Sequence, residues 1–166
     1  MKIIALLSLA LVLGFTATIH AKDAGFPQGK PEVSIAVPEG WKSHFEDGKL
    51  YVTTKDELSV VVEVSALKAT KKEGSKALEE MKAQVNEAFQ NVTFDAMTEG
   101  GSNNMGFYIL NGKGEDKDGK VIINAIMATN GDNDKLYFVF IAASPEGSKE
   151  FGEQIAEVLG SIRKVE

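Results

Sequence analysis

The sequence predicts a three-layer α/β/α sandwich in which a mainly antiparallel sheet lies between two main helices. The apolar segment 136–143 carries large side chains on both of its faces, and segment 121–128 does so apart from Asn124. A strand that is apolar on both faces has to be covered on both faces. Short turns join most of the strand-like segments, which favours antiparallel pairing. The alternative is a two-layer α+β sandwich in which strands or loops cover the second face.

β-Branched residues and period-two alternation define the predicted strands. Residues 41–45 lead into the hairpin dipeptide Asp47-Gly48, and Asp118-Gly119 marks a second tight turn. The polar segment 99–104 is expected to be a flexible connector. The predicted strands are residues 33–37, 49–54, 58–64, 92–97, 105–110, 121–128 and 136–143.

Two segments have the three- and four-residue apolar spacing of amphipathic helices. The first lies within residues 70–89, and either Thr70 with Glu73 or Ser75 caps its start. The second begins at Ser144-Pro145, a cap followed by a proline at the first helical position. The apolar stripes are Leu78, Met81, Val85 and Phe89 in the first helix, and Phe151, Ile155, Val158, Leu159 and Ile162 in the second.

The N-terminal segment, residues 1–21, has the order of a secretory signal peptide. It starts with Lys2, continues with an apolar run and closes on a more polar tail that ends at Ala21. The apolar run is shorter than the ~20 residues that span a bilayer. Residues 22–31 contain two glycines and two prolines and are expected to be a flexible lead-in. Residues 32–166 form a single domain, and the predicted location is the periplasm or the extracellular space.

Composition excludes several classes of protein. Cysteine is absent, which excludes disulfides, thiolate metal sites and the lipid-bearing cysteine of a bacterial lipoprotein. The formal net charge is −6, and an acidic surface disfavours nucleic acid as a partner. Stable membrane insertion is not expected, because the apolar run near the N-terminus is too short to span a bilayer comfortably. No basic amphipathic stretch suggests docking on anionic lipid.

The sequence offers few residues for catalysis. His44 is the one histidine that remains after removal of the predicted leader, and no G-x-S-x-G elbow presents a serine. An enzyme would have to use carboxylates, for instance Asp95 or Glu63, and isolated strand acids usually face solvent. The acids of the hairpin turns match a calcium loop only in part. The sequence therefore predicts a protein without catalytic residues, cofactor or metal.

Trp41, His44 and Phe45 form the candidate site for contact with a ligand or partner. They follow a Pro-Glu-Gly turn and precede a tight hairpin. An exposed tryptophan beside a histidine in a loop is typical of a recognition site. The alternative is that Trp41 closes one end of the core while His44 points to water, because large aromatic side chains are usually buried.

Two short segments resemble the PsbP-like families of proteins. Residues 37–41 (VPEGW) resemble the hydrophobic-Pro-x-Gly-Trp opening of these families, and residues 158–163 (VLGSIR) resemble their closing helix. The families include the extrinsic photosystem II protein PsbP, a Ran-binding nuclear import factor and DcrB-type bacterial envelope proteins. The resemblance implies an α/β/α sandwich over residues 32–166 and an accessory or docking role, without catalytic residues to carry over.

Together these features predict an exported, non-catalytic accessory protein that docks on another protein of the bacterial envelope. The alternative is a periplasmic module that binds a small molecule in an apolar cleft lined by Trp41 and Phe45. The docking hypothesis requires a protein partner. The ligand-binding hypothesis requires a concave pocket beside the sheet.

Overall fold

The computed structural model describes residues 22–131 and 133–166, so the predicted signal peptide lies outside the described residues. The helices within these residues are α1 (Gly74–Ala88), α2 (Pro145–Glu150) and α3 (Gly152–Ser161). The strands are β1 (Lys22–Phe26), β2 (Val33–Val37), β3 (Lys42–Glu46), β4 (Lys49–Thr53), β5 (Val60–Ala66), β6 (Gln90–Phe94), β7 (Thr98–Ser102), β8 (Met105–Asp116), β9 (Gly119–Thr129), β10 (Tyr137–Ala143) and β11 (Arg163–Lys164).

Eight of these strands form one large sheet. Its order is β3-β4-β5-β10-β9-β8-β6, and β7 pairs with β8 beside β6. Every pairing is antiparallel, as predicted. The most apolar strand, β10, lies at the middle of this order, and β9 lies beside it. Both strands carry apolar side chains on both faces, and such strands need cover on both sides of the sheet. A second sheet of three strands has the order β1-β2-β11.

Both faces of the large sheet are covered, which confirms the three-layer sandwich. On one face, Phe138 and Phe140 of β10 pack with Met81 and Val85 of α1. On the other face, the alternate residues of β10 pack with β2 and α3, where Val158 is fully buried. The layer opposite α1 is therefore a mixed layer that combines a helix with the small sheet.

The segment expected to be a flexible lead-in contains a strand. Lys22 to Phe26 pair with β2 in an antiparallel register that runs from Lys22↔Val37 to Phe26↔Val33. Phe26 is only 5% exposed, and its ring edge meets Tyr137 at a centroid distance of 6.5 Å. Burial of this one aromatic side chain together with strand pairing overrides the glycine- and proline-rich composition of residues 22–31, so the prediction of flexibility is wrong for β1.

The polar segment 99–104 is also more ordered than predicted, because most of it belongs to β7. Asn103 and Asn104 form the two-residue turn to β8 with φ angles of 52° and 61°. Asparagine tolerates this left-handed region, which two-residue hairpins favour. The Asn103 side-chain amide also donates to the carbonyl oxygens of Gly160 and Ile162 at 3.0 and 3.2 Å. The hairpin therefore holds the C-terminal end of α3.

The helix starts follow the predicted caps. The Glu73 carboxylate accepts the Thr70 N–H at 2.9 Å, so of the two predicted caps Thr70 begins the helical segment, as a 3-10 turn ahead of α1. Ser144 Oγ accepts the N–H of Gly147 at 2.9 Å and caps α2. The predicted single C-terminal helix is divided at Phe151, whose backbone leaves the helical region as its ring packs edge-on against Trp41.

Candidate functional site

The structure places Trp41 and Phe45 against the core and His44 on the other side of the sheet. Trp41 is half-buried, and its ring lies 6.0 Å from that of Phe151 in an edge-to-face contact. Phe45 is half-buried on the same core. His44 projects to the opposite face because successive side chains of a strand alternate. The three residues therefore do not converge on one site, and contact of Trp41 with a ligand or partner stays a prediction.

His44 belongs to a polar group on the face that α1 covers only in part. Its ring stacks on Tyr51 at 5.4 Å. The Tyr51 hydroxyl donates to Glu63 at 3.3 Å, and Lys49 Nζ lies 2.8 Å from the same carboxylate. Burial, reinforced by the nearby charge of Glu63, raises the pKa of Tyr51 to about 12. The polar groups of Tyr51, Glu63 and Lys49 are therefore paired with one another, as expected of cross-strand neighbours on a partly solvated sheet face.

The two carboxylates considered for catalysis are too far apart to act on one bond. Glu63 lies on β5, and Asp95 directly follows β6, four strands away in the sheet order. At ~4.8 Å per strand, this separates them by about 19 Å. Paired catalytic carboxylates stand within ~10 Å of each other. Among residues 22–131 and 133–166, no cluster of three or more histidine, cysteine, aspartate or glutamate side chains has the arrangement of a metal site.

The loop between β4 and β5 presents an unusual apolar residue. Leu58 is 77% exposed, the most exposed large hydrophobic side chain in the described part of the chain. The loop that carries it is held firmly by Asp56. The Asp56 carboxylate accepts the hydroxyls of Thr54 and Ser59, both at 2.5 Å, and the N–H groups of Leu58 and Ser59, both at 3.2 Å.

This hydrogen bonding also fixes the charge of the loop. The hydroxyl bonds from Ser59 and Thr54, together with the two backbone bonds, hold the pKa of Asp56 well below its usual range. The carboxylate therefore stays ionised, and keeps accepting these bonds, at any pH near neutrality. Glu57 adopts a positive φ of 62° within the loop and pairs with Lys42 at 2.5 Å.

A second contact anchors the same loop to α2. The Ser59 carbonyl oxygen accepts the N–H of Ser144 at 3.1 Å. Gly147, one turn later, approaches so closely that a Cβ placed on it would lie 2.3 Å from that carbonyl oxygen. The close approach requires glycine at position 147. The backbone around Leu58 therefore has a rigid support, whereas the Leu58 side chain itself is mostly exposed.

An apolar cleft of about 380 Å³ opens directly beside Leu58. Val61 of β5 and Phe140 of β10 form its floor, and Phe89 closes it at the end of α1. The β8–β9 hairpin, residues 116–120, stands at the rim opposite Leu58. The arrangement combines an exposed anchor, a rigid support and an adjacent apolar hollow, which together suit recognition of another molecule.

The sequence reasoning missed this site because it placed Leu58 at the start of a strand. The strand begins only at Val60, and Leu58 lies in the preceding loop. The signal that was available is the spacing of Thr54, Asp56 and Ser59, which are side chains that bond to nearby backbone in tight turns. No local sequence pattern could have predicted the cleft, because the residues that line it come from four separate parts of the chain.

No helix in the described ranges is both long and apolar enough to cross a membrane.

The hydroxyl of Ser161, at the end of α3, makes two hydrogen bonds within the fold. The Oγ donates to the Val158 carbonyl and accepts the Ala36 N–H, both at 2.7 Å. The hydroxyl joins α3 to the small sheet.

Comparison with known proteins identifies the fold. No protein-family model matches the chain, and no curated protein matches it by sequence. Similar solved structures include LpqN, described as involved in cell envelope biogenesis of Mycobacterium tuberculosis, with a TM-score of 0.60 and 9% identity over 89% of this chain and 92% of that one.

Two further structures share the same architecture. Cyanobacterial PsbP from Synechocystis has a TM-score of 0.61 and 12% identity over 92% of this chain and 99% of its own. The Saccharomyces cerevisiae Ran-binding protein Mog1p has a TM-score of 0.52 and 10% identity over 86% and 94%. At these identities the similarity establishes the fold, and the chain has the PsbP-like/Mog1 fold that its sequence predicts.

Proposed function

We propose that this protein is an exported, non-catalytic accessory protein that docks on another protein of the bacterial envelope through the surface around Leu58. The observation that carries the proposal is the 77% exposure of Leu58 on a loop that its neighbours hold rigid. A single exposed leucine on a mobile loop would be ordinary. Here hydrogen bonds hold the backbone of the loop in place beside an apolar cleft, so binding does not have to order the loop itself.

The envelope setting is supported by the sequence and by one structural neighbour. Residues 1–21 have the pattern of a leader for export. LpqN, whose fold this chain shares, is described as taking part in cell envelope biogenesis. Mog1p is described as a Ran-binding protein, which supports the use of this fold for contact with other proteins.

Site-specific photo-crosslinking tests the docking surface. A photoreactive phenylalanine analogue is placed at Leu58 in the full chain and, as the matched control, at Met97. Met97 is the other exposed large hydrophobic residue in the described ranges, at 41%. It lies between β6 and β7 at one edge of the large sheet, whereas Leu58 precedes the interior strand β5. We expect position 58 to capture one identified envelope protein in its host, repeatedly, and position 97 not to capture it.

Two results would contradict the docking proposal. The first is the absence of any reproducible adduct at position 58 under conditions in which the analogue reacts with added free peptide. The second is capture of the same proteins at positions 58 and 97, which would indicate random collision. In either case Leu58 would be an ordinary exposed side chain.

A further inference from the structure

One edge of the large sheet is open along β7. Strand β9 lies on one side of β8, and β6 and β7 both pair with the other side, so they follow one another along this edge. All five residues of β7 are exposed, and within the described ranges β7 pairs with β8 alone. An edge strand presents a row of unpaired N–H and C=O groups to which another strand can bind.

The turn to β8 determines which backbone groups of β7 face outward. Ser102 and Met105 flank a two-residue turn and form a hydrogen-bonded pair, and such pairs alternate along an antiparallel ladder. The backbone groups of Gly100 therefore also face β8, whereas those of Glu99 and Gly101 point to the open edge. Within residues 22–131 and 133–166, these outward groups have no backbone partner.

The other edges of the two sheets carry features that discourage pairing. β3, at the far edge of the large sheet, starts with Lys42, and β1 of the small sheet starts with Lys22 and Asp23. β6 is interrupted by a bulge at which Asn91 has a φ of 51°, and β11 is only two residues long. Charged side chains, bulges and short strands are the usual protections of an edge. Against these, β7 has a single charged side chain, that of Glu99.

Gly100, at the middle of β7, is a glycine that the fold itself does not require. Its φ lies outside the left-handed region, and a Cβ placed on it would meet no atom within 4 Å. Glycine weakens the interior of a strand, and it often marks a position where another backbone approaches closely. Met97, which immediately precedes β7, adds an exposed apolar side chain beside the same edge. The middle of β7 is therefore suited to close approach of a second strand.

We infer that β7 pairs with β7 of a second copy of this chain, antiparallel and with Gly100 on the two-fold axis. In this register Glu99 faces Gly101 of the partner subunit, and Gly101 faces the partner's Glu99. These are the residues whose backbone groups point outward, so each pair exchanges both of its N–H···O bonds. Thr98 then faces Ser102 of the partner subunit, and such hydroxyl pairs are favourable across strands.

The sequence of β7 favours this register over the other antiparallel ones. A register centred on Glu99 would set two carboxylates directly opposite each other, and like charges in that position are destabilising. A register centred on Gly101 would set Glu99 opposite Asn103, which lies in the turn with a φ of 52° and is not extended. Centring on Gly100 avoids both problems, and no side chain stands at the axis.

The contact is small, so the dimer is expected to be weak. It involves five residues of each copy, against the roughly 20–30 residues a side of a standard interface. We therefore expect a dissociation constant of about 0.1–1 mM. The inference does not depend on docking through Leu58, which lies on the loop before the interior strand β5, so either can fail without the other.

Engineered cysteines test the register directly, because the chain has no cysteine of its own. The full chain with Gly100→Cys is produced with its leader, purified after export under reducing conditions and then oxidised with glutathione. At the axis the two Cα atoms would lie ~4.5 Å apart, within the range of a disulfide. In the matched control Ser102→Cys, the two copies would be about 13 Å apart along the strands. We expect the linked dimer to form about tenfold faster, or more, at position 100.

Sedimentation velocity of charge variants gives an independent measurement. Gly100→Lys sets like charges together at the axis and should weaken dimerisation about tenfold or more, and Gly100→Glu should do the same. An equimolar mixture of the two variants should restore the dimer, because opposite charges then face each other. The open space at position 100 accommodates either side chain, so neither variant should lower the free energy of unfolding.

Several results would overturn the inference. The original protein could remain monomeric at about 1 mM, the upper end of the expected dissociation constant. Equal rates of disulfide formation at positions 100 and 102 would indicate random collision or another register. Undiminished dimerisation of both charge variants would place the contact elsewhere. A photoreactive analogue at Met97 should capture a second copy, and capture of a different protein instead would assign the β7 edge to that protein.

Discussion

Replacing Ile141 with alanine is expected to lower the free energy of unfolding by about 2–5 kcal/mol, the usual cost of such a truncation in a packed core. Ile141 is fully buried at the middle of β10, on the face covered by β2 and α3. Its register partners are Val62 of β5 and Asn124 of β9. A cavity at this position cannot be filled by movement of an edge strand, because strands flank β10 on both sides.

Equilibrium unfolding in urea provides the measurement, and Ile122→Ala is the matched control. Ile122 loses the same atoms on β9, where its side chain is only half-buried, so its cost should be clearly smaller. Equal losses for the two variants would mean that the face opposite α1 is not sealed, which would contradict the three-layer packing.

Replacing Gly147 with alanine is expected to destabilise the protein by about 1–3 kcal/mol or more, the cost of forcing extra atoms into packed structure. The new Cβ would meet the carbonyl oxygen of Ser59 at 2.3 Å and its carbon at 2.9 Å. These are backbone atoms, so α2 and the Leu58 loop have to move apart. We therefore expect shifted amide resonances at Leu58 as well as lower stability.

Gly160→Ala supplies the control, because a Cβ at position 160 meets no atom within 4 Å. Alanine is a better helix former than glycine, so this variant should gain about 0.5–1 kcal/mol. If Gly147→Ala is also stabilising, the Leu58 loop and α2 are not in tight contact. The proposed rigid support of the Leu58 loop would then be refuted.

The sheet and its two covers could be predicted from the sequence because each is determined by a local pattern. The alternation of Phe138 and Phe140 with Tyr137 and Val139 requires apolar cover on both sides of β10, wherever that cover comes from. The hairpin dipeptides fix antiparallel neighbours, and the Ser144-Pro145 cap fixes the start of a helix. Such features depend on residues close together in the chain.

The strand at Lys22–Phe26 and the site around Leu58 could not be predicted in this way. β1 is ordered by Phe26, whose partner Tyr137 lies more than a hundred residues later. Leu58 follows three charged residues, and only Ser59 separates it from a run of valines, a sequence that equally suits the first residue of a strand. In the structure the chain turns there, because the Asp56 carboxylate accepts the N–H groups of Leu58 and Ser59 and the Ser59 carbonyl oxygen accepts the N–H of Ser144.

The candidate residues Trp41, His44 and Phe45 illustrate a related limit. The hairpin at Asp47-Gly48 is present, but alternation along β3 directs His44 away from Phe45. Because these neighbouring residues lie along an extended strand, their side chains point to two different faces of the sheet. A loop of the same composition could have brought them together.

The affinity of the partner captured at position 58 for two purified variants tests the docking claim most directly. Leu58→Ser should weaken binding about 10- to 100-fold, since burial of a leucine side chain contributes about 1.5–3 kcal/mol. The unfolding free energy should change by less than about 0.5 kcal/mol, because the Leu58 side chain is mostly exposed. Met97→Ser should leave the affinity for the partner unchanged. Equal affinity for the Leu58→Ser variant and the original protein would contradict docking through this surface.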